Sequence, residues 1–454
     1  MTIRDHVREN FHLAYPVMLS NLGHVMMGVS DNIMVGHVGA TSLAAAGLAS
    51  VVFNILMLYG VGVSYCITPL VAKAHGESNQ SAVIETLRHG FVINLVNGCF
   101  LAAVVVSAKN LLYHIDQPIE VVKLAIPYLS ITTFSLIPML VFQTYKQFFE
   151  GLSNTRVAMI IIFISNAVNI GLNYMLIYGH GGFPAMGLNG AGWGTIVSRM
   201  LMAALIAGYL YYAKAFQQYR AGFSFGRYSR ALFNKMLHLG IPSGAQYIFE
   251  VAAFDFSLVM MGWIGVTTQA AHQIAINLAS VSYMTTAGLA AAATIRVSYF
   301  LGLRDYKNLK RASYTLISMS IVFMGLCALL FIAGRNWLPL LYVDHDEVIV
   351  IASSLLIIAG LFQLSDGAQV VCIAALRGLH DVKIPSLLIF AAYWIVALPL
   401  GYWLAFQADY GPQGIWLGLL IGLTLTAAAM FVRFRHLIAK LASQSDVAAP
   451  FQGP

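Results

Sequence analysis

Four acidic residues, Asp31, Glu250, Asp255 and Asp366, lie inside long apolar stretches, whereas the other acids fall mostly in polar segments and at their edges. Glu250 and Asp255 share the stretch FEVAAFDFSLVMMGWIG (249–265), which contains no Lys, Arg or His. A carboxylate inside a bilayer is disfavoured by about 2.5–3.5 kcal/mol on insertion scales, and such residues mark ion pathways and binding sites. The chemistry they suit is reversible capture of a positive species: a coupling cation, a proton or an organic cation.

Polar side chains accompany these acids at helical spacing. Gln246 and Tyr247 precede Glu250 by four and three residues, and Gln363 and Gln369 flank Asp366 by three. Asn21 and His24 share the face of Asp31, Asn169 and Asn173 stand one turn apart, and Thr195 lies in the following apolar run. Taken singly, each also fits a hydrogen-bonded helix interface. At 1.5 Å per residue, Glu250 lies about 18 Å and Asp366 about 15 Å from the same membrane face, so the two acids are level near mid-bilayer. Asp255 is five residues beyond Glu250 and points elsewhere. Gln246, Tyr247, Gln363, Asp255, Met260 and Met284 are candidate walls of a cavity for organic cations, where aromatic and thioether groups adapt to varied apolar shapes.

The elements that position these residues follow from composition. Of 454 residues, 59% are hydrophobic and 9% charged, against about 25% charged in a soluble domain. The chain is read as an all-α polytopic membrane protein in contact with the lipid bilayer. Apolar runs divided at their turn-rich interiors give twelve transmembrane helices, near 11–36, 44–74, 90–113, 121–149, 157–179, 188–213, 238–263, 270–300, 312–333, 348–376, 384–406 and 412–437. With the N-terminus inside, 21 Lys and Arg fall in inner segments and three in outer ones, leaving Arg199 within the sixth helix. Both termini are therefore expected in the cytoplasm. This asymmetry accounts for the net charge of +7 without a nucleic-acid partner. The four cysteines, widely spaced in apolar stretches, suggest neither a disulfide framework nor a metal site.

The chain also repeats. LAYP (13–16) resembles LGIP (239–242), LASV occurs at 48–51 and 278–281, and EGLSNTR (150–156) resembles RGLHDVK (377–383). Three ordered matches near one offset predict two pseudo-symmetric six-helix lobes, 1–213 and 236–440. A cytoplasmic linker at 214–235 joins them, and a disordered cytoplasmic tail follows at 441–454. Parallel repeats of this kind are a transporter architecture. No G-x-x-x-x-G-K-[ST], H-E-x-x-H or G-x-S-x-G motif occurs, which argues against a P-loop ATPase and against common membrane hydrolases.

The stretches DNIMVGHVG (31–39), FFEGLSNTR (148–156), NIGLNYMLIYG (169–179), GLNGAGWGT (187–195), AAHQIAIN (270–277), SDGAQVVCIAALRG (365–378) and GIWLGLLIG (414–422) together resemble the multidrug and toxic compound extrusion (MATE) family, its NorM-type bacterial branch best. The resemblance spans nearly the whole chain. It implies the MATE fold of two six-helix lobes forming a V. The function it implies is a secondary active antiporter, not an enzyme, that exports organic cations, drugs or dyes in exchange for inward Na⁺ or H⁺ by alternating access. No cofactor beyond the coupling ion is expected, and the protein is expected to be a monomer in the inner membrane. Residue by residue, Asp31 takes the place of the essential aspartate of the first helix. Glu250 and Asp366 match the acids that hold the coupling cation, a transient Na⁺ or a proton. Asn169, Asn173 and Thr195 fall at N-lobe polar positions. Asn173 stands where other branches have an aspartate, and Phe362 where close relatives have a tyrosine ligand. Arg199 and Asp255 lie outside the family pattern and are read as a possible pair across the lobe boundary. Two other readings remain open at this stage: a flippase for lipid-linked precursors, and a membrane-embedded transferase using His24 with Asp31.

Overall fold

A computed structural model describes residues 1–114, 117–223, 226 and 228–448. Among these, twelve long helices follow one another without a strand: α1 (Ile3–Gly36), α2 (Ala40–Gly76), α3 (Gln80–His114), α4 (Ile119–Gly151), α5 (Arg156–Tyr178), α6 (Leu188–Tyr212), α7 (Arg230–Ile264), α8 (Val266–Gly302), α9 (Tyr306–Ala333), α10 (Asp346–Gly378), α11 (Lys383–Phe406) and α12 (Gly411–Ala448). Helices α2 to α12 carry eleven spans long and apolar enough to cross a membrane. The exception is α1, whose 34 residues include Asn21, His24, Asp31 and Asn32. The chain is an all-α polytopic membrane protein. In lipid only helices or closed barrels satisfy every backbone group internally, and here helices do so.

The sequence repeat reappears as repeated geometry, each copy within its own half. Asn79 caps α3 by accepting from the Ala82 amide at 3.0 Å, and Asp305, 226 residues later, caps α9 through the Asn308 amide at 3.0 Å. The turns before those caps use left-handed backbone at Ser78 (φ 55°) and Arg304 (φ 56°). Ser153 (φ 62°) and His380 (φ 63°) do the same in the matched motifs. The Thr68 hydroxyl donates to the Gln147 carbonyl at 3.0 Å, and that of Thr294 to the Ala374 carbonyl at 2.9 Å. A Cβ on Gly151 would lie 2.7 Å from Val71 Cβ, and one on Gly378 2.8 Å from Val297 Cβ. These glycines let α4 meet α2, and α10 meet α8, at backbone distance.

The chain forms two compact units, residues 19–244 and residues 1–18 with 245–454. The expected boundary at 214–235 differs from this division. The chain changes unit inside α1 and inside α7, two residues after Pro16 and Pro242, positions again 226 apart. Proline removes a helical donor and clashes with the preceding turn, so each long helix is weakest where it passes from one bundle to the other. The linker region contains a 3₁₀ segment, Lys214–Phe223, before α7 begins at Arg230; residues 224, 225 and 227 lie outside the described set. At the C-terminus the chain continues α12 as helix to Ala448, where a disordered tail from 441 was expected; residues 449–454 lie outside the described set.

The first turns of α1, ahead of its apolar span, dock within their own unit. The buried His6 ring accepts from Arg296 Nη2 at Nδ1 (2.9 Å). Because Arg is only a donor, the ring proton sits on Nε2 and is donated to Asn308 Oδ1 at 3.2 Å. Burial, and then the charge of Arg296, hold the His6 imidazole below its ordinary value of 6.5. The unfolded segment therefore binds more protons than the docked one, so docking is strongest above about pH 6.5 and weakens as pH falls below it. The protection of amides 3–10, taken relative to their intrinsic base-catalysed exchange at each pH, is expected to fall as pH drops from 7.5 to 5.5, and His6→Gln to flatten that dependence. An unchanged pH profile in the variant would show that another group is responsible.

Candidate functional site

In the unit 19–244, three helices converge on Asp31. Asn173 of α5 donates Nδ2 to Asp31 Oδ1 at 2.5 Å, and Thr195 of α6 donates Oγ1 to Oδ2 at 3.5 Å. Asn173 Nδ2 also reaches Asn169 Oδ1 at 3.3 Å, and Asn169 Nδ2 reaches Ser198 Oγ at 3.3 Å. Both asparagines are fully buried. Their one-turn spacing puts both amides on one face of α5, and Gly194 of α6 packs directly on the Asn173 amide. The four predicted polar residues Asp31, Asn169, Asn173 and Thr195 thus form one connected cluster. Its acceptor is a single carboxylate fed by neutral donors, an arrangement that leaves the negative charge available to a mobile cation.

The second cluster lies in the other unit and contains two acids. Glu250 comes from α7 and Asp366 from α10, and both are buried (9% and 5% exposed). Gln369, one turn beyond Asp366, donates Nε2 to Glu250 Oε1 at 3.0 Å and to the Tyr393 hydroxyl at 3.5 Å. Asp366, Glu250 and Tyr393 are near enough for their charges to act on one another. Arg377, eight residues beyond Gln369, adds an attractive field at Glu250. Two buried carboxylates this close repel when both are ionised, and a shared cation or proton removes the repulsion. The donors are oxygen atoms of carboxylate, amide and phenol, a set suited to a hard cation rather than a soft one. Buried Gln369 Oε1 and Gln363 Nε2 have no hydrogen-bond partner, so oxygen and N–H groups are both uncommitted beside the acids. Gln363 is otherwise fixed by Ser282, whose hydroxyl donates to its Oε1 at 2.8 Å.

Tyr393 escaped the sequence reading. It sits in an unbroken apolar run among 22 tyrosines, and it faces the acids from a π-helical segment, Ala391–Ala397. Such widened turns recur at functional sites, and Pro399 supplies a cause by withdrawing the N–H that the Ile395 carbonyl would otherwise use. That proline was the available signal. Phe362, one turn before Asp366, carries no hydroxyl and packs edge-on against Phe254 and Trp416 (5.9 and 5.8 Å). The phenol of this cluster comes from α11.

The other candidates scatter. Gln246 is buried and Tyr247 half-buried on α7 near Glu250, while Met284 is half-buried on α8. Met260 is only 1% exposed and packs in the apolar core with Met261 and Ala275. Asp255 is exposed on α7. Arg199 draws its contacts from its own unit: Nη1 donates to Ser135 Oγ at 2.7 Å, and the guanidinium lies 4.9 Å from the Phe53 ring centroid. His24 rests against Phe142 at 6.5 Å with Nε2 unpartnered.

Comparison with known proteins converges with this geometry. The sequence model of the family MatE matches twice, at residues 16–175 and 242–403, so the family's own unit is the repeat described above. The multidrug resistance protein NorM of Photobacterium profundum is 34% identical over 440 residues, covering 95% of this chain and 96% of that protein. The multidrug resistance protein MdtK of Photorhabdus laumondii is 34% identical over 433 residues, 94% of each. A crystal structure of a MATE protein in its bent conformation superposes with a TM-score of 0.89 at 20% identity, covering 98% of this chain and 99% of that one. On the twofold family match and these full-length relatives, the chain belongs to the MatE family, a family of transporters rather than enzymes.

Proposed function

We propose that this protein is a secondary antiporter exporting organic cations, drugs or dyes in exchange for inward Na⁺ or H⁺. The observation that carries the reading is the Glu250–Asp366 cluster: two level, buried acids whose hydrogen-bond partner, Gln369, is neutral. Cation or proton binding there neutralises the acids, weakens the hold on organic cargo, and shifts the balance between the two access states. The cluster around Asp31 supplies a second cation site in the other unit. Gln246, Tyr247, Gln363 and Met284 are proposed cavity walls. The relatives named multidrug resistance proteins support a broad cargo range, and their bacterial sources support an inner-membrane location. The 21-to-3 distribution of Lys and Arg supports cytoplasmic termini. The test is dye efflux from proteoliposomes under an imposed Na⁺ gradient and, separately, a pH gradient. Efflux accelerated by one gradient and collapsed by its ionophore is expected; efflux indifferent to both refutes antiport.

A further inference from the structure

Where α9 begins and α12 ends, exposed cations gather along one groove. Lys307, Lys310, Arg311 and Tyr314 stand at i, i+3, i+4 and i+7, a single stripe down the first turns of α9. Tyr314 packs edge-on against Phe431 and Phe434 of α12, with ring centroids 6.2 and 6.4 Å apart, and so fixes that stripe beside α12. Arg435, one turn beyond Phe431, holds its guanidinium 5.9 Å from that ring's centroid. Lys307, Lys310, Arg311 and Arg435 are all exposed, and none enters an ion pair among the described residues. Arg311 Nη1 reaches the Met1 carbonyl at 3.2 Å. No acid occurs in 306–343 or in 411–445. The Asp305 carboxylate just ahead of α9 is taken by the Asn308 amide at 3.0 Å and by Asn308 Nδ2 at 2.6 Å. Ile321, two turns beyond Tyr314 on the same stripe, is exposed, so the groove turns apolar as it leaves the cations.

The other half does not repeat this. There Ser81, Ile84 and Glu85 of α3 stand where α9 has Lys307, Lys310 and Arg311. Tyr211 follows the left-handed Gly187 by as many residues as Arg435 follows the left-handed Gly411. The chain itself fills that end: the 3₁₀ segment Lys214–Phe223 packs on both α3 and α6. Gln80 Nε2 donates to the Gln218 carbonyl at 2.9 Å, and the Arg220 guanidinium lies 5.2 Å from the Tyr211 ring centroid. In contrast, α12 runs on as helix to Ala448 and leaves its groove exposed.

We propose that the groove between the start of α9 and the end of α12 binds the headgroup of an anionic phospholipid. Lys310 and Arg435 hold the phosphate, Lys307 and Arg311 add to the attraction, and an acyl chain lies along α9 past Ile321. A lipid suits the groove better than a soluble anion because the cations and the apolar stripe are continuous. The inference is independent of what the protein exports and of its coupling ion.

The experiment titrates the purified full chain in neutral detergent with tail-labelled phosphatidylglycerol and, separately, tail-labelled phosphatidylcholine, reading energy transfer from the tryptophans. The wild type is expected to bind phosphatidylglycerol at least about tenfold more tightly, since each cation beside an anionic headgroup is worth about fivefold. Lys310→Gln combined with Arg435→Gln is expected to remove that preference and to leave phosphatidylcholine binding and the thermal midpoint unchanged. Lys214→Gln combined with Arg230→Gln, the same charge change on exposed residues of the other unit, is expected to keep it. Free glycerol phosphate at millimolar concentration is expected not to displace the lipid. A wild type without preference overturns the proposal, as does a Lys310/Arg435 variant that keeps it. An equal loss in the control pair overturns it by making the attraction a property of the whole basic face. Full displacement by glycerol phosphate overturns it by making the ligand a soluble anion. Should the double variant not fold, Arg435→Gln alone carries the test, with an expected loss of about fivefold.

Discussion

Glu250→Gln is expected to abolish gradient-driven dye efflux while leaving the protein folded and at least as stable as the wild type. The substitution preserves shape. Gln369 now donates to one Glu250 oxygen at 3.0 Å, and its own Oε1 has no partner. An amide at position 250 can still accept from Gln369 Nε2 and can offer its NH₂ to that idle oxygen, so the local network gains a bond. What disappears is the negative charge. At an effective dielectric near 20, a unit pair 4 Å apart is worth about 4 kcal/mol, and every 1.4 kcal/mol is tenfold in affinity. Coupling should therefore drop by roughly a thousandfold, below detection in vesicles. The thermal midpoint should hold or rise, because a buried carboxylate of the insertion-scale penalty of about 2.5–3.5 kcal/mol has been removed. Retained efflux at the wild-type rate, with Asp366 intact, would show that Glu250 is a structural hydrogen-bond acceptor and not part of the coupling machinery.

How much of this was legible in the sequence depends on the scale of the signal. The spans were, because lipid demands some twenty apolar residues in a row and the turns between them are rich in Gly, Asn and Pro. The repeat was, faintly, through three short matches; the structure extends it to caps, left-handed turns and glycine contacts at one offset. The passage of α1 and α7 from one unit to the other was not, because Pro16 and Pro242 sit in otherwise continuous helical patterns and local sequence does not say which bundle a helix joins. At the sites, the acids announced themselves by their setting. Their partners did not, for a reason visible in the repeat itself. The position 226 before Glu250 is His24, and the one 227 before Gln369 is Phe142, so a ring contact in one half stands where the other has its hydrogen bond. Ser257 stands 226 beyond Asp31. The halves share a backbone and carry their charges at different positions along it, so symmetry could not transfer one site to the other. Tyr393 was further hidden by its π turn, which rotates the following residues off the ordinary helical face.

Gly418→Val is expected to cause a large loss of stability in the second unit, and to disable transport through that same π turn. GIWLGLLIG places Gly414, Gly418 and Gly422 four residues apart, one stripe down α12. A Cβ on Gly414 would lie 2.6 Å from Ala405 N; on Gly418, 2.5 Å from Gly401 Cα and 2.6 Å from the Ala397 carbonyl oxygen; on Gly422, 2.5 Å from Ala397 Cβ. In a membrane, where lipid is as apolar as the side chains, such close backbone approach is what holds helices together. The atoms opposite Gly418 are backbone, and backbone cannot rotate aside as the end of a long side chain does. Overpacking of a tight core usually destabilises by about 1–3 kcal/mol, and this site belongs at or above the top of that range. A fall in thermal midpoint of at least about 5 °C in detergent is expected. Any α12 displacement that relieves the clash pushes on Ala397, the last residue of the widened turn that aims Tyr393 at Gln369. Loss of dye efflux should therefore accompany the lost stability, and Gly418→Ala should show a smaller version of both. A valine variant as stable as the wild type would mean that α11 and α12 are not packed through this stripe, and the placement of Tyr393 beside the acids would fall with it.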